Sequence, residues 1–414
     1  MPSNHLDIDF VRSCFPTFAE PLAAKTAFFE NAGGSYVAGP VLDKLMHFYR
    51  VNKVQPYGES EILKVEGIQM DAGRQTMADL LGVPVSNITL GASTTQNINT
   101  LAFACAPLLH RDAEVMVTDQ DHEANIGAWE RLCERHGAKL VTWPINPQTG
   151  ELDLDDFNAL FNPNTAIVCL THSSNIVGTI NPVEEVIAKA RPNGTKVVVD
   201  GVSFAPHQWP DIPTLQPDAY AFSTYKTYAT HMGVMYVSDD FLNNLDPQCH
   251  YFNRGYPHKL LDTTGPDHAS IAALDGLGDY FNNSHKHHFG DSDISLYQKA
   301  QKVSGLMHAH ETELCKQLLD GINDLPLKII GRNSCEGREA NIALTSTVHS
   351  SAHLSRALAQ KDIAAGHGDF YALRLLEKAG IKDTEDGVLR ISFSHYNTSE
   401  DVERVVNVLQ SVHQ

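Results

Sequence analysis

Tyr220-Ala-Phe-Ser-Thr-Tyr-Lys-Thr-Tyr-Ala-Thr-His-Met-Gly-Val-Met-Tyr-Val237 holds parts of two short β-rich runs, Ala219 to Ser223 and Val234 to Val237, joined by a turn in which Lys226 carries the only full formal charge. Lysine is seldom buried without a partner, and burial lowers its pKa toward the range where the amine is nucleophilic. Such an amine forms Schiff bases with carbonyl compounds. A surface-loop lysine beside two tyrosines would read the same way in isolation, so the surrounding chain decides.

Further β-rich runs lie upstream at Asn87 to Leu90, Glu114 to Thr118, Lys139 to Trp143, Ala166 to Thr171 and Lys196 to Asp200, with helical spacing between several of them. That alternation predicts an α/β domain with a largely parallel sheet covered on both faces. Lys196-Val-Val-Val-Asp200 is apolar and ends in a carboxylate. It reads as a central strand that delivers Asp200 to the carboxyl edge, where such sheets bind ligands. Past residue 270 the pattern predicts a long helix, Ile294 to Leu319. Strands at Lys328 to Ile330, Asn341 to Leu344 and Val388 to Phe393 follow, with helices at Ser351 to Gln360, Tyr371 to Ala379 and Ser399 to Val412. The expectation is a large α/β domain over residues 25–270 and a smaller α/β C-terminal domain over 271–414 that also takes in residues 1–24.

With 414 residues and 42% apolar content, the chain can form two such cores. Its charge of −19, from 31 basic and 50 acidic residues, argues against nucleic acid and anionic membranes, both of which call for a basic surface. No apolar run approaches membrane-spanning length, and Met1-Pro-Ser-Asn-His-Leu-Asp-Ile-Asp-Phe10 lacks the pattern of a leader. The chain therefore reads as cytoplasmic. Its seven cysteines are scattered singly with no C-x-x-C pair, as expected of reduced thiols. Ser284-His-Lys-His-His-Phe289 matches no common metal-site spacing, and no metal is expected.

Four features carry chemistry. In Ile88-Thr-Leu-Gly-Ala-Ser-Thr-Thr-Gln-Asn97 a strand ends at a glycine turn and hydroxyls precede a helix. Free N–H groups, the helix dipole and Ser93, Thr94 and Thr95 suit a phosphate, although an ordinary serine cap reads alike. Asp200 suits a pyridine nitrogen that must stay protonated, or a turn. His122, in Asp-His-Glu-Ala-Asn125, follows a strand and can stack on an aromatic ligand or simply occupy a loop. In Val388-Leu-Arg-Ile-Ser-Phe393, alternation turns Arg390 away from Leu389, Ile391 and Phe393, either to grip a carboxylate or to meet solvent. An aldehyde-reactive lysine, a phosphate cup, a carboxylate and a stacking histidine together are the requirements of pyridoxal phosphate.

These stretches, with Phe28-Phe-Glu-Asn-Ala-Gly-Gly34, Ser174-Asn-Ile-Val-Gly-Thr-Ile-Asn-Pro182, Val199-Asp-Gly-Val-Ser-Phe-Ala-Pro-His207 and Leu389-Arg-Ile-Ser-Phe-Ser-His-Tyr-Asn-Thr398, make nearly the whole chain resemble the class V aminotransferase and cysteine desulfurase family of fold-type I pyridoxal phosphate enzymes. The resemblance implies a Schiff base on Lys226, Asp200 at the ring nitrogen and His122 on the ring face. It assigns Ser93, Thr94, Thr95 and Ser223 to the phosphate, Asn175 to the ring hydroxyl, Arg390 to the substrate α-carboxylate and Asn31 to the neighbourhood of the substrate. It further implies an amino-acid substrate and a homodimer, with Thr263 or Thr264 near the neighbouring cofactor. Two positions depart from the desulfurase pattern: Ser203 stands in place of a glutamine, and Tyr225 in place of a histidine. Desulfurases also carry a nucleophilic cysteine in a C-terminal loop, whereas Ile363-Ala-Ala-Gly-His-Gly-Asp-Phe-Tyr371 has none. His367, Asp369 and Tyr371 can instead line the substrate pocket or move protons.

The favoured reading is Cβ–S lyase chemistry without a persulfide-forming cysteine. Aminotransferase or epimerase activity, and a non-catalytic binding protein that keeps the cofactor fold, are the alternatives. Ser223-Thr-Tyr-Lys226 also matches the S-x-x-K of serine β-lactamases and penicillin-binding proteins, but the accompanying S-D-N and K-T-G are absent.

Overall fold

The computed structural model describes residues 5–414; residues 1–4, which begin the stretch read above for a leader, lie outside the described residues. A seven-stranded sheet runs in the order Ile88–Gly91, Gly233–Val237, Ala219–Ser223, Lys196–Asp200, Thr165–Thr171, Glu114–Thr118, Lys139–Trp143. The last five strands pair in parallel, whereas Gly233–Val237 runs antiparallel to both of its neighbours. The sheet is thus mixed but mostly parallel.

Side-chain alternation divides the sheet between two cores. Met116, Val168, Leu170, Val197, Val199, Tyr220 and Phe222 enter one, and Val115, Val117, Ile167, Cys169, Val198, Ala219 and Ala221 enter the other. Both faces are therefore covered, as apolar parallel strands require.

A second, antiparallel sheet runs in the order His367–Gly368, Val388–Ser392, Asn341–Ser346, Leu327–Ile330. Its core joins Leu389, Ile391 and Phe393 to Ala27 and Phe29, because the N-terminal pair Ala27–Phe28 lies parallel to Ile363–Ala364. Helix Leu296–Ile322 opens on a Ser295–Gln298 capping box and spans roughly 40 Å at 1.5 Å per residue. Ala300, Val303 and Met307 pack under the large sheet, and Leu314, Leu318 and Ile322 under the small one. Packing also runs across residue 270, since Leu277, Tyr280 and Phe281 share a core with Val11 and Phe15 from the N-terminus.

The histidine run belongs to helix Asp275–Phe289 and secures the N-terminus: Asp7 N–H donates to His288 Nε2 at 3.0 Å, and His287 stacks on Phe10 at 3.8 Å. Among the described residues no cluster of three or more His, Cys, Asp or Glu side chains is placed to hold a metal. No described helix is long and apolar enough to cross a membrane.

One expected helix is shorter than its sequence pattern. It covers Leu373–Lys378 instead of starting at Tyr371, because Phe370 and Tyr371 both adopt left-handed φ values of +50° and +59°. Such backbone costs energy in a bulky residue and persists where surrounding contacts fix it. Here the carbonyl of Phe370 accepts from Asn175 Nδ2 at 2.9 Å and that of Tyr371 accepts from Glu123 N–H at 2.8 Å.

Candidate functional site

The site begins where strand Ile88–Gly91 gives way to helix Thr94–Ala104. Ser93 caps this helix by accepting from Gln96 N–H at 3.1 Å, and the Thr94 and Ser223 hydroxyls lie 2.7 Å apart in a buried pair. The residues expected to hold a phosphate thus also form an ordinary helix cap. The helix N-terminus and its hydroxyls suit a phosphate.

Strand Gly233–Val237 comes close enough to this turn to need a glycine at its first position. A Cβ on Gly233 would sit 2.3 Å from the Ser93 carbonyl carbon and 2.4 Å from Thr94 N. Gly233→Ala is expected to displace the turn, lowering stability by about 1–3 kcal/mol and weakening phosphate-bearing ligands; calorimetry and ligand titration would measure both. Unchanged values would show that the turn yields freely.

One cavity is lined by Ser93, Thr94, Thr95, His122, Asn175, Asp200, Ser203, Ser223, Tyr225 and Lys226. These come from the carboxyl ends of parallel strands and the turns that follow. Lys226 is buried; burial, reinforced by the Arg390 charge and opposed by Asp200, brings its pKa down to about 8. Asp200 ends its strand accepting from Val202 N–H at 2.9 Å, and burial pushes its carboxyl up to about 6 against the effects of that bond and Lys226. His122 is held near 4 by burial and by the Lys226 and Arg390 charges. It is therefore neutral, and because Nδ1 accepts from Ala124 N–H at 3.1 Å, its proton sits on Nε2.

Arg390 is buried on the face of strand Val388–Ser392 opposite Leu389 and Ile391, not solvated. The Phe370 ring covers its guanidinium at 3.7 Å. Nη1 reaches the Asn175 carbonyl at 3.4 Å, Nη2 lies 3.6 Å from Glu30, and Nε is buried without a partner. Burial lowers its pKa to about 10, with Glu30 opposing. A desolvated guanidinium with a donor to spare is a site for a carboxylate.

Asn175 lines the cavity, though one of its amide hydrogens goes to Phe370. The amide of Asn31 donates to the Ser392 carbonyl at 2.9 Å and its oxygen accepts from the Tyr396 hydroxyl, so the side chain is committed to joining the N-terminal segment to the small sheet. His367 is exposed, with Nδ1 3.2 Å from the Asp386 carbonyl, and Asp369 accepts from Tyr371 N–H at 2.7 Å. Neither lines the cavity that holds Lys226. Tyr371 does approach: its ring lies 5.1 Å from His122.

Three neighbours went unremarked in the sequence. Glu30 faces Arg390 and accepts from Gly366 N–H, Phe370 covers Arg390, and His231 stacks on Tyr225 at 4.4 Å. Glu30 had a signal, as the charged residue in Phe28-Phe-Glu-Asn-Ala-Gly-Gly34. Phe370 and His231 lie in stretches already singled out, residues 363–371 and 220–237, but nothing local encodes the contacts they make.

The donor set fits pyridoxal phosphate: an amine of low pKa for the aldehyde, hydroxyls at a helix N-terminus for the phosphate, a buried carboxylate for the ring nitrogen and a neutral imidazole for the ring face. Comparison with known proteins agrees. A sequence profile described as "Aminotransferase class-V" matches residues 27–251 and 297–405. The chain is 29% identical to a probable cysteine desulfurase of Vibrio cholerae, covering 97% of each sequence. It is also 29% identical to the aminotransferase-like protein FGM3 of Gibberella zeae, covering 100% of each. Among solved structures, the apo cysteine desulfurase of Thermococcus onnurineus superposes with a TM-score of 0.85 at 21% identity, over 100% of this chain and 99% of that one. A C-DES mutant carrying glycine covalently linked to its PLP cofactor superposes at 0.77 with 18% identity, over 96% and 98%.

Proposed function

The chain belongs to the aminotransferase class-V family of pyridoxal phosphate-dependent enzymes, and we propose that it cleaves the Cβ–S bond of a sulfur-bearing amino acid without passing the sulfur through an enzyme persulfide. The S-x-x-K reading falls with that membership. When bound, pyridoxal phosphate supplies an electron sink conjugated to the substrate Cα. Lys226 would hold the cofactor covalently and, once released by the substrate, take the proton from Cα. Asp200 would keep the ring nitrogen protonated, His122 would lie on the ring face, and Ser93, Thr94, Thr95 and Ser223 would anchor the phosphate. Ser203 would border the ring, and Arg390 would fix the α-carboxylate so that the Cα–H bond points at the lysine.

The observation that carries the persulfide-free reading is the segment ending in Phe370 and Tyr371. These two side chains lie against Arg390 and His122, and neither can form a persulfide. No cysteine lines the Lys226 cavity. Cys335 instead packs against the small-domain core that contains Cys315.

The deciding experiment supplies cysteine or a cysteine sulfoxide and measures sulfur species, pyruvate and ammonia. All three are expected in equal amounts, unchanged in Cys335→Ser. Loss of turnover in that variant would restore a thiol nucleophile. Amino transfer dependent on a keto acid would make the protein an aminotransferase, and inversion at Cα an epimerase. A homodimer belongs to the same proposal. Tyr251, Phe252 and Tyr256 expose large apolar surfaces in the segment leading to Thr263, whose hydroxyl accepts from Gln96 at 3.3 Å beside the phosphate helix.

A further inference from the structure

A second, much smaller cavity adjoins Lys226. Its volume is about 10 Å³, and Lys226, Ser203, His207, Asn341 and Ser394 are among the residues lining it. That is about the space one water molecule occupies. The lining is mixed, with Ala32, Val202, Pro206 and Phe393 beside the polar side chains, and one of the polar residues keeps an unpartnered atom: Asn341 is buried, its Nδ2 donates to the Ile176 carbonyl at 3.3 Å, and its Oδ1 accepts from nothing.

His207 leads away from this cavity. Its Nδ1 lies 2.5 Å from Glu311 Oε2 in helix Leu296–Ile322, and both side chains are buried. Nε2 is the ring nitrogen not spent on Glu311. A second pair lies beyond: His308 Nδ1 is 3.3 Å from Glu339 Oε2, and Gln208 Nε2 donates to Glu339 Oε1 at 2.8 Å. The His308 side chain is 32% exposed and lines a groove open to solvent. One oxygen of Glu311, Oε1, has no hydrogen-bond donor. The charges that act on His207 are Glu311 and Glu339; His308 pairs with Glu339, burial keeps the nearby His395 neutral, and Lys226 lies across the small cavity. Burial disfavours the His207 imidazolium, but Glu311 outweighs it and holds the pKa above the ordinary value. A purely structural His–Glu pair explains neither the cavity beside the lysine nor the orphaned amide oxygen of Asn341, a residue that lines it.

We propose that the small cavity holds one ordered water that joins Lys226 Nζ to the His207–Glu311 pair, giving the lysine a proton route separate from the substrate mouth. The inference rests on Lys226 as the reactive amine. Outward, the ammonium of Lys226 gives a proton to the water while the water gives one to His207 Nε2. Inward, the His207 imidazolium protonates the water as the water protonates the neutral amine. Glu311 holds the imidazolium in place throughout, so His207 and Glu311 are positioning residues and touch no substrate atom.

Borohydride-stable attachment of pyridoxal phosphate to the wild type is checked first; without it the Lys226 reading fails, and this proposal with it. A near-atomic crystal structure should then show one water within hydrogen-bonding reach of Asn341 Oδ1 and His207, and a dry cavity would overturn the route. With a substrate deuterated at Cα, His207→Gln should lose the label to solvent roughly tenfold more slowly relative to turnover, with amino-acid affinity unchanged. Glu311→Gln, which keeps a polar partner for the imidazole, should act in the same direction. Label exchange equal to wild type in both folded variants would overturn the relay while leaving the cofactor assignment standing. If neither variant folds, the crystallographic water alone decides.

Discussion

Replacing Lys226 by alanine is expected to abolish covalent attachment of pyridoxal phosphate and to lower turnover by roughly 10³-fold or more, since nucleophile and Cα base disappear together. With its pKa brought down to about 8, chiefly by burial, the amine is half neutral at pH 8; an ordinary lysine would be about 0.3% neutral there. Capture of the aldehyde by the apoprotein should therefore rise through pH 8 instead of pH 10.5. The sign for stability follows from the same shift. Between pH 8 and 10.5 the unfolded chain binds the proton that the folded chain has lost, so this lysine makes folding more favourable as pH rises through that window. Lys226→Ala should flatten that dependence. The wild type should show a visible band that borohydride converts to a stable adduct, and the variant should show neither. A borohydride-stable adduct retained in Lys226→Ala would place the reactive amine elsewhere.

The strands around Lys226 were legible because burial on both faces leaves a continuous apolar run, and turns with functional residues interrupt it. Glu114–Thr118, Lys139–Trp143, Lys196–Asp200 and Ala219–Ser223 keep their sequence boundaries. Strand direction was less legible, since Gly233–Val237 has the composition of the sheet's parallel strands and its reversal follows only from the short turn that feeds it. The residues assigned to the cofactor were legible as types at strand ends, and the structure brings them together: Asp200, His122, Lys226 and the hydroxyls after Gly91 line one cavity.

What the sequence hid is set by contacts across large sequence separations. A helical pattern at Tyr371 gives way to left-handed backbone because Asn175 and Glu123 bind the carbonyls of Phe370 and Tyr371. Asn31 looks available as a substrate contact in its motif but spends its amide on Ser392 and Tyr396. Glu311 lies 104 residues from His207, in a helix whose pattern reads as ordinary amphipathic packing. No local spacing encodes any of these pairings.

Arg390→Lys is expected to raise KM for the amino acid by roughly 30-fold or more with a smaller change in kcat, because the guanidinium would hold the α-carboxylate in ground and transition states alike. The two cations are not equivalent here. Arg390 presents a flat fork under the Phe370 ring at 3.7 Å, has an unpartnered buried Nε, and reaches Glu30 at 3.6 Å. Lysine offers a compact charge that cannot stack in that way or bind a carboxylate through two parallel bonds. It nevertheless keeps a cation beside Glu30, so folding should be largely preserved. Arg390→Gln removes that charge as well, leaving Glu30 partly desolvated beside a neutral amide. A fully buried pair broken this way loses about 3–5 kcal/mol; the Glu30 side chain is 28% exposed, so the loss here should be smaller. Melting temperature and KM measured on both variants separate the two roles. A binding role predicts that both lose affinity while only Arg390→Gln melts clearly lower. An unchanged KM in a well-folded Arg390→Lys would mean that the guanidinium serves the Glu30 contact and the packing of Phe370, and that the α-carboxylate is held elsewhere.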